Sequence, residues 1–210
     1  MSFIDRLRDR LFGFRRPAGD LSLAGSGIAP VGSSSGENKP VNESNPGMVD
    51  KDNQSEKNSG FPERVMFVCS GNICRSPYGE ARFTQMCAKK HPDTRIISSG
   101  ILRMAGHKAS PEMITVASER GLDLSQHRSA GLSKLLVDSS DVIFVMAQKH
   151  RMEILRIAPN SDQKIVLLAH WLKTPKYEIE DPIGQSMDVY RAVADDIDEA
   201  LMNWWEEKAK

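Results

Sequence analysis

The chain has 210 residues and a formal net charge of zero, because 28 Lys and Arg residues balance 28 Asp and Glu residues. This length predicts one or two domains, and the charge balance argues against a protein that binds nucleic acid through a broad basic surface. The longest uninterrupted apolar run, residues 142–147, is far shorter than the roughly 18 residues that a membrane-spanning helix needs. The three cysteines do not suggest a secreted disulfide framework, so we expect a cytoplasmic protein.

The first sixteen residues have the pattern of a short basic amphipathic helix. Ile4, Leu7, Leu11 and Phe14 recur at helical spacing, and arginines outnumber aspartates among the residues around them. Such a helix can lie on an anionic membrane surface or dock on a partner, which would place the protein peripherally at the membrane. The alternative is a disordered start whose periodicity arises by chance.

Residues 17–60 differ in composition from the rest of the chain. More than half of them are Ser, Gly, Asn or Pro, and no aromatic residue occurs between Phe14 and Phe61. Such a segment buries too little apolar surface to offset its ordering entropy, so it is predicted to be a disordered linker. A single domain is predicted to follow it, over residues 61–210.

Within this domain, short strands rich in β-branched residues alternate with helical stretches. The strands are predicted at residues 65–68, 95–98, 142–146 and 165–168, and the helices at residues 76–89, 111–120, 149–157 and 187–207. Strands separated by helices imply right-handed crossovers between parallel neighbours. The domain is therefore predicted to be an α/β fold, a four-stranded parallel sheet with helices on both faces.

The turn after the first predicted strand carries the chemistry, since ligands collect at the carboxyl ends of parallel strands. Gly71 and Asn72 tolerate positive φ, so this loop can curl and direct successive N–H groups inward around an anion. The dipole of the helix that follows adds positive potential at the same point. We expect the loop to hold a phosphoryl group through residues that follow its first cysteine, namely Ser70, Gly71, Asn72, Ile73, Cys74 and Ser76.

Cys69 begins this loop, where the amides and the helix dipole stabilise a thiolate. Arg75 lies six residues later, and its planar fork suits two phosphoryl oxygens, while Ser76 could donate a hydrogen bond to the sulfur. This arrangement is typical of phosphoryl transfer through a cysteinyl-phosphate intermediate. The alternative for Cys69 is a buried structural thiol at the end of a core strand.

The nine residues 69–77 fill every fixed position of the string Cys-x-Gly-Asn-x-Cys-Arg-Ser-Pro. This string resembles the signature of the low-molecular-weight protein tyrosine phosphatases, and the resemblance to bacterial-type members extends over residues 61–210. Four further stretches resemble the family in order and spacing, at residues 97–100, 121–129, 141–146 and 180–182.

The resemblance implies that Cys69 is the nucleophile, that Arg75 binds phosphate and that Asp181 is the general acid and base. A carboxyl group must protonate the tyrosyl oxygen as it leaves and later deprotonate the attacking water. The resemblance also implies supporting residues, Ser98 and His127, with the Asn72 side chain bonded to serine and histidine. No cofactor is implied, and the histidines show no ligand spacing with the cysteines, so no metal is expected.

Cys74 resembles the family's second loop cysteine, which can trap an oxidised Cys69 as a disulfide, although simple packing explains it as well. The main departure from the family is Ile183, which would give an aliphatic wall where many members have an aromatic one. Leu102, Arg103 and Met104 are expected opposite, and Tyr78 and Tyr177 could compensate. We therefore expect small aryl phosphates to be poorer substrates than a phosphoprotein.

An arsenate reductase and a tethered phosphoprotein-binding module are the two alternatives to a phosphatase. Arsenate reductases of the same fold use two further cysteines downstream, and this chain has no cysteine after Cys87. A tethered phosphoprotein-binding module would lack the nucleophile, the arginine or the acid, and all three residues are present. The organisation also resembles bacterial phosphatases that are paired with tyrosine kinases of polysaccharide export, so such a kinase is an expected partner.

Overall fold

A computed structural model describes residues 60–174 and 176–208 of the chain. The predicted helix at residues 1–16 and the predicted linker up to residue 59 lie outside these described residues. The elements in chain order are β1 (Arg64–Cys69), α1 (Arg75–Cys87), β2 (Arg95–Gly100), α2 (Pro111–Glu119), α3 (Lys134–Ser139), β3 (Val142–Val145), α4 (Gln148–Ile157), β4 (Ile165–Leu167) and α5 (Met187–Lys208). Short 3-10 helices at Pro159–Lys164 and Leu168–Trp171 flank β4.

The four strands form one parallel sheet, as predicted. Their order in the sheet is β2-β1-β3-β4, which the sequence analysis did not predict. β1 is central, with Val65 opposite Ile96 of β2 on one side and Val142 of β3 on the other. Parallel strands of this kind are buried on both faces, and five of the six residues of β1 are buried. The carboxyl end of β1 therefore opens into the crevice between β2 and β3, where the candidate loop begins.

Side chains alternate along each strand, so the apolar strands place apolar side chains on both faces of the sheet. Helices cover both faces and bury these side chains. Phe67 of β1 packs on one face with Phe83 of α1 and Trp204 of α5, whereas Met66 packs on the other face with Ile154 of α4. The prediction of helices on both faces is confirmed.

Close packing of α1 against β1 fixes the position of the candidate loop. A Cβ atom at Gly79 would lie 2.6 Å from the ring of Phe67, so only glycine allows α1 to approach the strand this closely. The Phe67 ring in turn stacks on Phe144 at a centroid distance of 5.0 Å, and Phe144 meets Trp204 edge-on at the same distance. The loop is thus held between a buried strand and a tightly packed helix.

The predicted strands and the four predicted helices are all present, with boundaries shifted by up to two residues. α3 was not predicted, because its six residues are too few to show a helical period; Ser133 caps it by accepting a hydrogen bond from the N–H of Leu136 at 3.3 Å. Gly121, two residues after the end of α2, has φ of +71°, a conformation that favours glycine. Among residues 60–174 and 176–208, no helix is long and apolar enough to cross a membrane.

Candidate active site

The loop between β1 and α1 wraps around the sulfur of Cys69. The side chain of Cys69 is buried, with the hydroxyl of Ser76 at 3.0 Å from its sulfur. The N–H of Asn72 donates to the same sulfur at 3.3 Å. Asn72 has φ of +56°, the left-handed conformation that lets the chain curl back over the sulfur. The sulfur of Cys69 therefore has a hydroxyl and a backbone N–H as close polar neighbours.

The peptide groups of the loop are oriented by bonds on its outer side. Four loop carbonyls accept hydrogen bonds from surrounding segments. The carbonyls of Cys69 and Ser70 accept from the N–H groups of Ile101 (3.1 Å) and Leu102 (3.0 Å). The carbonyl of Asn72 accepts from Nε2 of His127 (2.8 Å), and that of Ile73 accepts from the N–H of Ser110 (2.7 Å). In a trans peptide the N–H points opposite to the preceding C=O, so the amides that follow these carbonyls point to the concave side. The loop therefore presents several N–H groups to an anion.

The side chain of Asn72 is fully buried and makes three hydrogen bonds. Its Nδ2 donates to Ser76 Oγ at 2.9 Å and to Ser98 Oγ at 2.7 Å, and its Oδ1 accepts from the N–H of Ala130 at 2.7 Å. The expected bond between this side chain and His127 is not formed. Both amide protons go to serines and the oxygen faces Ala130, so His127 bonds the main-chain oxygen of Asn72 instead.

Glu80 extends this network and was missed by the sequence analysis. Ser98 Oγ donates to Glu80 Oε2 at 2.5 Å, so hydrogen bonds connect Glu80 through Ser98, Asn72 and Ser76 to Cys69. Burial raises the pKa of the Glu80 carboxyl, while the Ser98 hydrogen bond and the charge of His127 act in the opposite direction. The sequence signal was only that Glu80 lies four residues after Ser76 on the same helix.

Arg75 and Asp181 meet at the mouth of the loop, although they are far apart in sequence. Arg75 is 2% exposed; its Nη1 donates to the carbonyl of Ile179 at 3.0 Å, and its Nη2 donates to the Asp181 carboxylate. The N–H of Ile179 donates to the carbonyl of Met146 at 2.8 Å, which pins this segment to the end of β3. Within the described part of the chain, nothing accepts from the buried Nε of Arg75. The Ile179 carbonyl and the Asp181 carboxylate fix the plane of the guanidinium and therefore the direction of this N–H.

His150, on α4, is a second residue that the sequence analysis did not assign to the site. It is fully buried, and its Nε2 lies 3.1 Å from Ser70 Oγ. The same hydroxyl accepts from Arg75 Nη2 at 3.4 Å. Burial lowers the pKa of His150 to about 3, and the charge of Arg75 contributes to this shift. The imidazole is therefore neutral.

Two side chains near the loop are internal. Burial raises the pKa of the Cys74 thiol, and the neighbouring Cys69 adds to the effect, so Cys74 is held as the thiol. Tyr78 is fully buried, and its hydroxyl donates to Asp198 at 2.9 Å. The expectation that Tyr78 could compensate at the substrate wall is therefore wrong, because its ring faces α5.

Exposed apolar side chains occur on two segments that contact the loop or Arg75, residues 100–104 and 177–183. Leu102, Tyr177 and Ile183 are 63%, 76% and 48% exposed. Met104 lies beside the loop, because a Cβ atom at Gly71 would be 3.5 Å from the Met104 sulfur. Exposed apolar residues on segments that contact an anion-binding loop suit a ligand with a phosphoryl group on an apolar stem. No group of three or more His, Cys, Asp or Glu side chains that could hold a metal ion occurs in residues 60–174 and 176–208.

Comparison with known proteins assigns the chain to a family. The family model described as low molecular weight phosphotyrosine protein phosphatase matches residues 64–210. The chain is 31% identical to the low molecular weight protein-tyrosine-phosphatase Wzb of Escherichia coli K12 over 140 residues, which are 67% of this chain and 91% of that protein. It is 28% identical over 137 residues to a protein-arginine-phosphatase of Bacillus subtilis, covering 65% of this chain and 91% of that one.

The fold agrees with these matches. The crystal structure of the tyrosine phosphatase AmsI of Erwinia amylovora has a TM-score of 0.64 and 33% identity, over 70% of this chain and 93% of that one. The tyrosine phosphatase Wzb from Escherichia coli K30, solved in complex with sulphate, has the same TM-score and identity and covers 70% of this chain and 99% of its own. The chain therefore belongs to the low molecular weight phosphotyrosine protein phosphatases, a family of phosphoric monoester hydrolases.

Proposed function

We propose that the protein hydrolyses phosphotyrosine in protein substrates through a cysteinyl-phosphate intermediate on Cys69. One observation carries the proposal: the sulfur of Cys69, the guanidinium of Arg75 and the carboxylate of Asp181 converge on one loop, and the Nε of Arg75 is buried with no acceptor among the described residues. A buried cation that keeps a free donor beside a nucleophile fits a phosphoryl dianion.

The first step transfers the phosphoryl group to sulfur. The Cys69 thiolate attacks phosphorus, the bond from phosphorus to the tyrosyl oxygen breaks, and Asp181 in its protonated form gives its proton to that oxygen. Arg75 and the inward amides hold the three non-bridging oxygens. The donor of Arg75 that Asp181 occupies in this structure passes to the phosphoryl group, which frees the carboxyl group for the leaving oxygen.

The second step releases phosphate. Asp181 accepts a proton from water, the water oxygen attacks phosphorus, and the bond from phosphorus to sulfur breaks to return the thiolate. The Ser76 hydroxyl, 3.0 Å from the sulfur, stabilises the departing thiolate. In this scheme the residues of the loop that bind substrate are Ser70, Gly71, Asn72, Ile73, Cys74 and Ser76. Ser98 and His127 support the loop through Asn72.

The substrate is expected to be a phosphoprotein, in line with the protein-tyrosine phosphatases to which the chain is similar. We propose a cytoplasmic phosphatase whose substrate is a tyrosine kinase of polysaccharide export. The exposed side chains of Leu102, Tyr177 and Ile183 support a protein substrate, because they offer apolar surface on segments that contact the loop or Arg75. A phosphopeptide should therefore be hydrolysed more efficiently than a small aryl phosphate.

The test compares the full-length protein with Cys69→Ser and Asp181→Ala on a phosphotyrosine peptide, a phosphoarginine peptide and p-nitrophenyl phosphate. Cys69→Ser should abolish turnover, and Asp181→Ala should lower kcat by roughly 10²–10⁴ on the peptide. Acid quenching during wild-type turnover should trap phosphate on Cys69. Matched control variants are Cys87→Ser and Asp123→Asn, since Cys87 lies in the core and Asp123 bonds the N–H of Ser125 in an exposed turn.

The phosphoarginine arm separates the two substrate classes, because one relative is a protein-arginine-phosphatase. Faster turnover of phosphoarginine than of phosphotyrosine would replace the tyrosine assignment. A folded wild-type protein that binds phosphate and turns over none of the three substrates would favour a binding module instead.

A further inference from the structure

His150 is a buried histidine with a polar contact to the phosphoryl-binding loop and no part in the chemical steps. It lies on α4, is fully buried, and places Nε2 at 3.1 Å from Ser70 Oγ. No atom of residues 60–174 or 176–208 pairs with its Nδ1. A buried polar ring is costly unless a hydrogen bond offsets the loss of water, so the contact with Ser70 is the feature that fits this histidine to its position.

Ser70 connects this ring to the phosphate-binding arginine. Its Oγ accepts from Arg75 Nη2 at 3.4 Å and contacts His150 on its other side. A serine hydroxyl has one proton and two lone pairs, so a fixed partner on one side sets the direction in which it accepts on the other. The neutral state of His150 suits this role, since a charged ring here would repel the guanidinium.

The plane of the Arg75 guanidinium decides where its unpaired Nε points. Nη1 is held by the carbonyl of Ile179, and Nη2 is shared between the Asp181 carboxylate and Ser70. When phosphate takes the place of Asp181, the contacts with Ile179 and Ser70 remain to fix the plane. Five donors in a rigid fork bind a phosphoryl group well only when the fork is already oriented.

We propose that His150 is a positioning residue for the phosphoryl-binding loop: through the hydroxyl of Ser70, its imidazole orients the guanidinium of Arg75 toward phosphate. His150 does not touch the substrate. The proposal deepens the proposed function and rests on it for its part in catalysis, but its effect on phosphate binding can be measured without turnover.

The experiment measures the Kd of inorganic phosphate by calorimetry on the full-length protein and its variants. In His150→Gln the terminal nitrogen occupies the position of Nε2 and can still reach Ser70, whereas in His150→Asn the shorter side chain cannot. Loss of one such hydrogen bond should raise the Kd of phosphate roughly five- to tenfold in His150→Asn and in Ser70→Ala. His150→Gln should stay within about twofold of wild type by the same reasoning.

The double variant Ser70→Ala/His150→Asn distinguishes positioning from a general structural role. If His150 acts through Ser70, the double variant binds phosphate no more weakly than Ser70→Ala alone. Ile154→Val, a buried change on the same helix, controls for loosened packing and should leave the Kd unchanged. Thermal unfolding of each variant identifies those that fold.

Three results would overturn the proposal: losses that multiply in the double variant, an equal loss in Ile154→Val, or a His150→Gln protein as weak as His150→Asn. The proposed function fails separately, through a wild-type protein that binds phosphate and does not hydrolyse phosphotyrosine. In that event the coupling of His150 and Ser70 in phosphate binding still decides the positioning role.

Discussion

At the scale of single residues, Asn72 stabilises the conformation of the loop through its backbone and its side chain. Its backbone takes the left-handed conformation, its N–H donates to the Cys69 sulfur, and its side chain joins two serines to the amide of Ala130. Asparagine fits because it tolerates positive φ and carries both a donor and an acceptor on a short side chain. The surroundings of the Cys69 sulfur therefore depend on Asn72, to which the proposed mechanism assigns no bond-breaking step.

The change Asn72→Gly separates the two contributions of Asn72, since glycine keeps the positive φ and removes the three side-chain bonds. We expect the free energy of unfolding to fall by about 1–3 kcal/mol, because buried hydroxyls and an amide lose their partner. Phosphate binding should weaken by more than tenfold. Urea unfolding and calorimetry measure the two effects, and unchanged phosphate binding in a folded variant would contradict the assigned role.

Glu80 predicts a pH dependence of stability. Because burial raises the pKa of its carboxyl in the folded protein, the folded state keeps a proton that the unfolded chain releases near its ordinary value of about 4.3. The stability that this group contributes is therefore complete below that pH and is lost as the pH rises through the folded pKa.

In Glu80→Gln this dependence should disappear, since the amide does not titrate and still accepts from Ser98. Urea unfolding of both proteins between about pH 4 and pH 7 measures it, and the wild type should lose stability relative to the variant as the pH rises. A difference that stays constant over this range would show that Glu80 titrates normally.

At the scale of elements, the end of β2 packs directly against the backbone of the loop. A Cβ atom at Gly100, the last residue of β2, would lie 2.8 Å from the carbonyl oxygen of Ser70 and 2.9 Å from the amide nitrogen of Asn72. Both contacts are backbone atoms, so no flexible side chain can move aside. The packing of β2 against the loop therefore requires glycine at this position.

The change Gly100→Ala should displace the loop and destabilise the protein by about 1–3 kcal/mol, the usual cost of overpacking. We expect kcat/KM on a phosphotyrosine peptide to fall by at least tenfold, because the N–H groups of the loop lose their alignment. Gly60→Ala is the matched control, since a Cβ atom there meets nothing within 4 Å. Equal activity of the two variants would show that the loop tolerates the displacement.

At the scale of the whole molecule, the family match and the catalytic geometry lie in the same part of the chain. The match covers residues 64–210, and every residue placed in the mechanism lies within it. Residues 1–16 lie outside that match, and their arginines and apolar residues at helical spacing predict a basic amphipathic helix. We propose that they attach the protein to the membrane surface.

Deletion of residues 1–16 should lower co-sedimentation with anionic phosphatidylserine vesicles, because the predicted attraction is electrostatic. It should leave kcat/KM on a phosphotyrosine peptide within about twofold of wild type, because the family match covers only residues 64–210. Neutral phosphatidylcholine vesicles and high salt are the controls. Equal sedimentation of the deletion variant and the full-length chain would remove the membrane role.

The sequence by itself predicted the four-stranded parallel sheet, the alternation of strands and helices along the chain, and the position of the loop after β1. β-branched strands that alternate with helical stretches allow few topologies, and residues 69–77 supply the cysteine, the turn residues and the arginine within one local segment. Local patterns of this kind are readable because their physical causes, side-chain period and backbone preference, act over a few residues.

Only the tertiary structure decided which distant groups support that loop. Glu80, His150 and the amide of Ala130 carry no motif, and they reach the site through Ser98, Ser70 and Asn72 only after β1, β2 and α4 have packed. In the same packing, the Tyr78 hydroxyl donates to Asp198, and His127 donates to the main-chain oxygen of Asn72. These hydrogen bonds need donor and acceptor atoms within a few ångströms of each other, although the residues lie far apart in sequence. Tertiary packing fixes such distances, whereas the order of residues along the chain does not.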